Sequence, residues 1–205
     1  MLPLYDESHF KNRKAWAVLL LIALNAIVFL VSFKELEAFV DSYGLVPADF
    51  LSGRNNFTVI SSLFLHADFL HLLGNMWFLW IFGKNVERKV GSLKFLFFYL
   101  FCGLGSAVLF SFAAVSKEIP VIGASGAVGG VLGAYLVFFP RNKIKTLVPL
   151  IFIWTIISVP AVFFISAWFF LQFFSLFSGS NMVAYWGHIG GFLTGFFLAK
   201  AFKKY

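Results

Sequence analysis

Six long apolar runs, at about 15–33, 70–83, 93–115, 121–139, 146–174 and 184–199, take up most of this chain and leave short polar connections between them. About 20 apolar residues cross a bilayer as a helix, because in lipid every backbone N–H and C=O has to be bonded within its own segment. The pattern predicts an all-α membrane protein, a six-transmembrane-helix bundle. A single domain is expected over residues 1–205, with a cytoplasmic leading segment 1–14, a six-helix core 15–199 and a short basic cytoplasmic tail 200–205. With 60% hydrophobic and 12% charged residues and a mean hydropathy of +0.89, the chain is too apolar to hide its surface as a soluble domain. Its one cysteine, Cys102, closes no internal disulfide, so helix packing has to hold the fold.

Cationic residues set the orientation. With the N-terminus in the cytoplasm, thirteen of the sixteen Lys and Arg residues fall inside, from Lys11, Arg13 and Lys14 to Lys203 and Lys204, against Lys34, Arg54 and Lys117 outside. Both termini are therefore expected in the cytoplasm. The first run lacks a small-residue cleavage site and reads as a retained span. The net charge of +7 is scattered between apolar runs, a topology signal rather than a nucleic-acid surface. The segment from Lys34 to about Phe69 is far longer than the other connections and amphipathic, so a long first external loop is expected to be partly embedded at the interface.

A charged side chain at the centre of a membrane helix costs about 2.5–3.5 kcal/mol, so polar residues inside the runs are few and informative. They are His71 and Asn75 in the second run, Ser125 in the fourth and His188 in the sixth, with Asn25 and Gln172 as further candidates. Counted from the external ends, Asp68 precedes His71 by three residues, Pro120 precedes Ser125 by five, and Asn181 precedes His188 by seven. At 1.5 Å per residue these offsets are about 5–10 Å of depth, which puts all three groups in one layer. Gly126, Gly129, Gly130 and Gly133 beside Ser125, and Gly187, Gly191 and Gly195 beside His188, form small-residue faces that let two helices approach closely. An imidazole brought to a serine in this way takes its proton and makes it a nucleophile. His71 and Asn75, four residues apart, share one helix face and can aim two donors at a developing oxyanion.

Plainer readings exist for each residue. A serine between Gly123, Ala124 and Gly126 is ordinarily a packing residue, and an intramembrane histidine is as often a bonded core residue or a ligand as a base. Their coincidence at one depth favours chemistry, as a Ser125/His188 dyad. A zinc protease would need H-E-x-x-H, whereas His66 and His71 are five apart without the glutamate. An aspartyl protease would need two buried aspartates, and every aspartate lies at or beyond a membrane boundary. A small transporter is disfavoured by the lack of buried charge.

Three segments then resemble the rhomboid family of intramembrane serine proteases: Gly123-Ala124-Ser125-Gly126-Ala127, His66 through Asn75, and Gly187-His188-Ile189-Gly190-Gly191. Phe82 through Gly91 is similar to that family's turn after the second span, and Gly133-Ala134-Tyr135 through Phe139-Pro140-Arg141 resembles a bacterial subgroup. The resemblance runs from about Phe57 to Leu198. It implies Ser125 as nucleophile, His188 as general base and then acid, and His71 with Asn75 as oxyanion donors, with no metal or cofactor. It further implies single-pass or polytopic membrane-protein substrates in a lipid bilayer, no nucleic acid, and a multi-pass protein of a bacterial inner membrane. A fifth span weakened by Pro149 and Pro160 would gate substrate entry. The alternative is a catalytically silent relative that binds transmembrane segments without cutting them.

Two positions depart from the family pattern. Phe57-Thr58 stands where many members have Trp-Arg in the first external loop, and Gly129 stands where some place a tyrosine against the base. His188 is accordingly expected to be held by Tyr135 or Trp186. Glu87 is expected to tie down the turn after the second span through Arg88, Lys89 or backbone amides. His66 belongs either to loop hydrogen bonding or to a water entrance with Ser61 and Ser62.

Overall fold

The computed structural model of the chain describes residues 2–7, 14–149, 153–177 and 184–203. Lys11, Arg13, Asn181 and Lys204, used above as topology markers, lie outside them. The chain opens with β1 (Leu2–Asp6) and then α1 (Trp16–Ser32), which continues through the 3-10 turn Phe33–Glu35 into α2 (Leu36–Tyr43). The long connection holds α3 (Pro47–Leu51), α4 (Thr58–Ser61) and the 3-10 turn Ser62–Phe64. Next come α5 (Phe69–Phe78), a π-helical turn at Leu79–Gly83, α6 (Lys84–Val90), α7 (Ser92–Ala113) and α8 (Ser125–Phe138). A hairpin of β2 (Lys143–Pro149) and β3 (Trp154–Pro160) leads into α9 (Ala161–Ser175), and α10 (Tyr185–Lys203) completes the described chain.

The fold is mostly helical, and the expectation of an all-α protein needs one correction. β1, β2 and β3 form a three-stranded antiparallel sheet in that order, with Leu2 opposite Leu147 and Leu147 opposite Ile156. The run 146–174 is therefore not one helix. Its first half is rich in β-branched residues (Val148, Thr155, Ile156, Ile157, Val159), which suit a pleated surface, and a helix through Pro149 or Pro160 would lose about 3 kcal/mol at each. Pro160 instead stands at the start of α9, where its missing N–H costs nothing. Both prolines mark strand ends rather than weak points in a helix.

Among the described residues, two helical stretches, Trp16–Tyr43 and Ser92–Ala113, are long and apolar enough to cross a membrane alone. A third qualifies if Thr58–Phe64 and Phe69–Val90, bent by 99° at their break, count as one span. The chain is an integral membrane protein. At its centre α7, α8 and α10 pack directly on one another, and the glycines set the spacing: a methyl on Gly191 would collide with the Gly126 carbonyl oxygen, one on Gly195 with that of Gly130, and one on Gly190 with that of Gly105. Cys102 fills the gap opposite Gly130, fully buried. Phe82, from the π-helical turn, packs edge-on against Tyr135 of α8, with ring centroids 5.1 Å apart.

Glu87 performs the tying role expected of it through backbone amides. It is 1% exposed, and its carboxylate accepts the Ala17 and Val18 amides at 2.9 and 2.8 Å and the Ser92 hydroxyl at 2.6 Å. The first amides of a helix have no carbonyl partner in their own helix, so Glu87 caps α1 from a distant part of the chain and sets a negative charge on the positive end of its dipole.

Candidate active site

Ser125 is the first residue of α8, and the segment that delivers it is tied to the long connection by backbone bonds. Leu45 and Val121 exchange two N–H···O bonds of 3.0 and 2.9 Å, the Ala48 amide donates to the Lys117 carbonyl at 2.9 Å, and the Gly123 amide to the Ser62 carbonyl at 2.9 Å. The connection is stapled in turn. Arg54 pairs with Asp49 at 2.7 Å, and Asn55 donates to the other carboxylate oxygen at 2.9 Å. The hydrogen bond from Arg54 holds the Asp49 carboxyl below the usual carboxylate range, with Asn55 adding to it. Phe57, of the Phe57-Thr58 pair, lies half-exposed with its ring edge-on to Tyr43 at 6.4 Å. The Lys117 ammonium donates to the Ser111 and Phe112 carbonyls at 2.6 and 2.9 Å, closing the end of α7.

Gly123 carries the sharpest backbone requirement, with φ at +122°, a region that favours glycine. A methyl there would lie 2.8 Å from Nε2 and Cε1 of His71 and 3.7 Å from the Ser125 oxygen. The imidazole edge, the Gly123 backbone and the serine hydroxyl therefore border one small space.

The glycine faces bring Ser125 and His188 together. Oγ of Ser125 and Nε2 of His188 are 2.8 Å apart, although the residues are 63 positions apart in sequence. His188 is held neither by Tyr135 nor by Trp186. Tyr135 lies ten residues along α8, where its hydroxyl donates to Asp6, and its reach is spent at that end of the bundle. The Nδ1 of His188 instead lies 2.7 Å from Oε1 of Gln172 on α9, with Trp168 at 6.1 Å on one face and Tyr185 edge-on at 6.2 Å. The sequence offered Gln172 only as one more polar residue in a span. The available signal was its spacing from Trp168, one helical turn earlier, which puts the indole and the amide on one face.

His71 and Asn75 both lie on α5, which packs on α8. Asp68 caps that helix, its carboxylate accepting the His71 amide at 2.8 Å. Nδ1 of His71 faces the Ala67 amide at a long 3.5 Å, which leaves Nε2 as the ring's donor, the atom beside Gly123. Asn75 is 7% exposed, and its Nδ2 has no hydrogen-bond partner among the described residues. A buried donor without an acceptor is costly in a resting protein. His66 is fully buried with its ring edge-on to His71 at 4.9 Å. Ser61 bonds the Tyr43 carbonyl at 2.8 Å, while Ser62 lines a cavity of about 30 Å³ together with Ser106, Gly123, Ser125, Gly187 and His188. Such a volume holds a water molecule. Among the described residues no three His, Cys, Asp or Glu side chains cluster as a metal-ligand set.

The family model described as Rhomboid domain matches residues 54–205, well over half of the chain. Rhomboid protein 1, mitochondrial, of Saccharomyces cerevisiae is 29% identical over 98% of this chain and 57% of its own length. RHOMBOID-like protein 6, mitochondrial, of Arabidopsis thaliana is 32% identical over 72% of this chain and 44% of its own. Rhomboid protease GluP of Bacillus subtilis is 30% identical over 96% of this chain and 36% of its own. The chain thus spans between about a third and somewhat over half of the length of these relatives. Two of the three bear mitochondrial names and one is bacterial, so they do not support the expected bacterial inner membrane over other membranes.

Proposed function

The chain belongs to the rhomboid family, which includes intramembrane proteases and inactive members, and on that premise we propose that it is an intramembrane serine endopeptidase working through Ser125 and His188. The observation that carries this reading is the 2.8 Å contact between Ser125 Oγ and His188 Nε2. In the proposed reaction the imidazole takes the hydroxyl proton while Oγ bonds to the scissile carbonyl carbon of a membrane-protein substrate. The carbonyl oxygen becomes an anion beside three groups: the Asn75 amide, Nε2–H of His71 and the Ser125 backbone N–H. That N–H belongs to the first turn of α8, where the positive end of the helix dipole favours negative charge. The unpartnered Asn75 donor supports the assignment, since it gains its acceptor only as the oxyanion forms. His188 then gives its proton to the departing amine, and a water activated by the same imidazole cleaves the acyl-enzyme. The 30 Å³ cavity beside the dyad supports a place for that water.

The proposal includes six spans with both termini cytoplasmic, on the distribution of Lys and Arg, and a cut near the external face. A helical substrate shields its own carbonyls, so Gly, Pro or other weak helix formers are expected at the cut. The test is detergent-purified protein with a transmembrane reporter, comparing parent, Ser125→Ala and His188→Ala. Loss of cleavage in both supports the reading, and undiminished cleavage in either, with contaminating protease excluded, overturns it. A silent relative would show no cleavage by the parent.

A further inference from the structure

We propose that Gln172 is the positioning residue of the dyad, holding His188 in the tautomer that presents a bare Nε2 to Ser125; this rests on the reading of Ser125 and His188 as the reacting pair. A neutral imidazole carries its proton on one nitrogen or the other, and the partner of Nδ1 decides which. Only the form with the proton on Nδ1 leaves Nε2 able to accept from the serine hydroxyl.

The hydrogen-bond network assigns that form. The Gln172 amide has two ends, and the nitrogen end donates to the Trp168 carbonyl, one turn back on α9, at 3.3 Å. Turning the amide over would set its oxygen against that carbonyl oxygen. The oxygen end therefore faces His188 Nδ1 at 2.7 Å, and an amide oxygen only accepts, so Nδ1 is the donor. The neighbouring rings fix the imidazole plane but exchange no proton with it: Trp168 lies over it and Tyr185 meets it edge-on. When His188 takes the serine proton, the Gln172 carbonyl dipole lies against the new positive charge. An amide does this without burying a second charge in a membrane span, which a carboxylate would require.

The placement on α9 has a consequence. The buried residues of this helix, Ala161, Phe164 and Ile165, all lie in its first half, while Phe170, Leu171, Phe173 and Phe174 around Gln172 are exposed. Phe169 and Trp168 pack on Phe192 of α10, at 4.4 and 6.3 Å, and together with the Gln172–His188 bond they hold the second half of α9 to α10. A displacement of that half that breaks the bond also releases the orientation of His188.

The test uses two readouts on the purified protein. One is the rate of labelling by a small fluorophosphonate, which reports the nucleophilicity of Ser125 without a helical substrate. The other is kcat and KM on a transmembrane reporter. Gln172→Leu is expected to slow labelling and kcat by about ten- to a hundredfold with KM and thermal midpoint little changed, and Gln172→Glu, which restores an acceptor, to recover about tenfold of that loss. Labelling of Gln172→Leu at the parental rate, or equal losses in Leu and Glu variants, would overturn the positioning role. If Ser125→Ala is inert in the same assays, that failure leaves the dyad standing; a Ser125→Ala protein that still cleaves removes the dyad itself.

Discussion

Two buried polar clusters sit along α8, and they are built in opposite ways. Around Tyr135, ten residues in from Ser125, the groups bond one another, apart from Asp6 Oδ1, which has no hydrogen bond and is faced by an ammonium instead. The Tyr135 hydroxyl donates to Asp6 at 2.7 Å, Asn85 donates to the same carboxylate oxygen, Lys84 stands 3.7 Å from the other oxygen, and Asn142 bonds the Tyr135 hydroxyl at 3.3 Å. Nearby Glu87 is saturated by two amides and a hydroxyl. At the Ser125 end, Asn75 holds a buried donor without an acceptor, and the His71 donor edge faces the space beside Gly123. Satisfied groups stabilise the resting protein, whereas free donors lower it and are repaid only when charge develops on a substrate. Substitutions in the first cluster should therefore change stability and spare catalysis per folded molecule; those in the second should do the reverse.

The largest separation is expected from Ser125→Ala. It should reduce turnover by at least about 10⁴-fold while the thermal midpoint stays within a degree or two of the parent. Asn75→Ala comes next. It should lower kcat by about 10²–10³-fold, some 2.7–4 kcal/mol of barrier, with little change in KM and no loss of stability, since the amide nitrogen has no resting partner. A change confined to KM would remove Asn75 from the oxyanion role. Glu87→Ala should act in the opposite sense, costing about 3 kcal/mol in denaturant titration because it strips charge-assisted bonds from the start of α1, while kcat of the folded fraction is retained. The smallest effect is expected from Tyr135→Phe, about 2 kcal/mol of stability for the bond to the Asp6 carboxylate and the longer one from Asn142, with unchanged fluorophosphonate labelling. Slowed labelling in Tyr135→Phe would erase the contrast between the two clusters.

The meeting of Ser125 and His188 at the candidate site is legible in the sequence. Ser125 and His188 stood out because polar residues in apolar runs are expensive, and the glycines beside them announced a close helix pair; the backbone contacts between Gly126 and Gly191 and between Gly130 and Gly195 are that pair. His71 and Asn75 were legible together because four residues make about one helical turn. Run 146–174 is where apolarity alone points to the wrong element. Hydropathy does not distinguish strand from helix, and the β-branched content with two prolines was the better guide. Gln172 was visible as polar but not as the partner of His188, since nothing in a local pattern says which face of α9 meets α10.

The sequence by itself determined that this is a helical membrane protein, which polar residues interrupt its apolar runs, and which helix faces are small enough to touch. These are local matters: periodicity, residue volume and the cost of a polar group in hydrocarbon depend on neighbours within a turn or two. Only the tertiary structure decided that Glu87 caps α1 across 69 and 70 positions, that Asp6 meets Tyr135 across 129, that β1 joins the hairpin before α9, and that Gln172 holds the free nitrogen of His188. Each of those pairings brings together segments whose own sequences fit several partners equally well, and the choice is made by the packing of the whole bundle, where each buried polar group has to find the acceptor or donor that lipid does not supply.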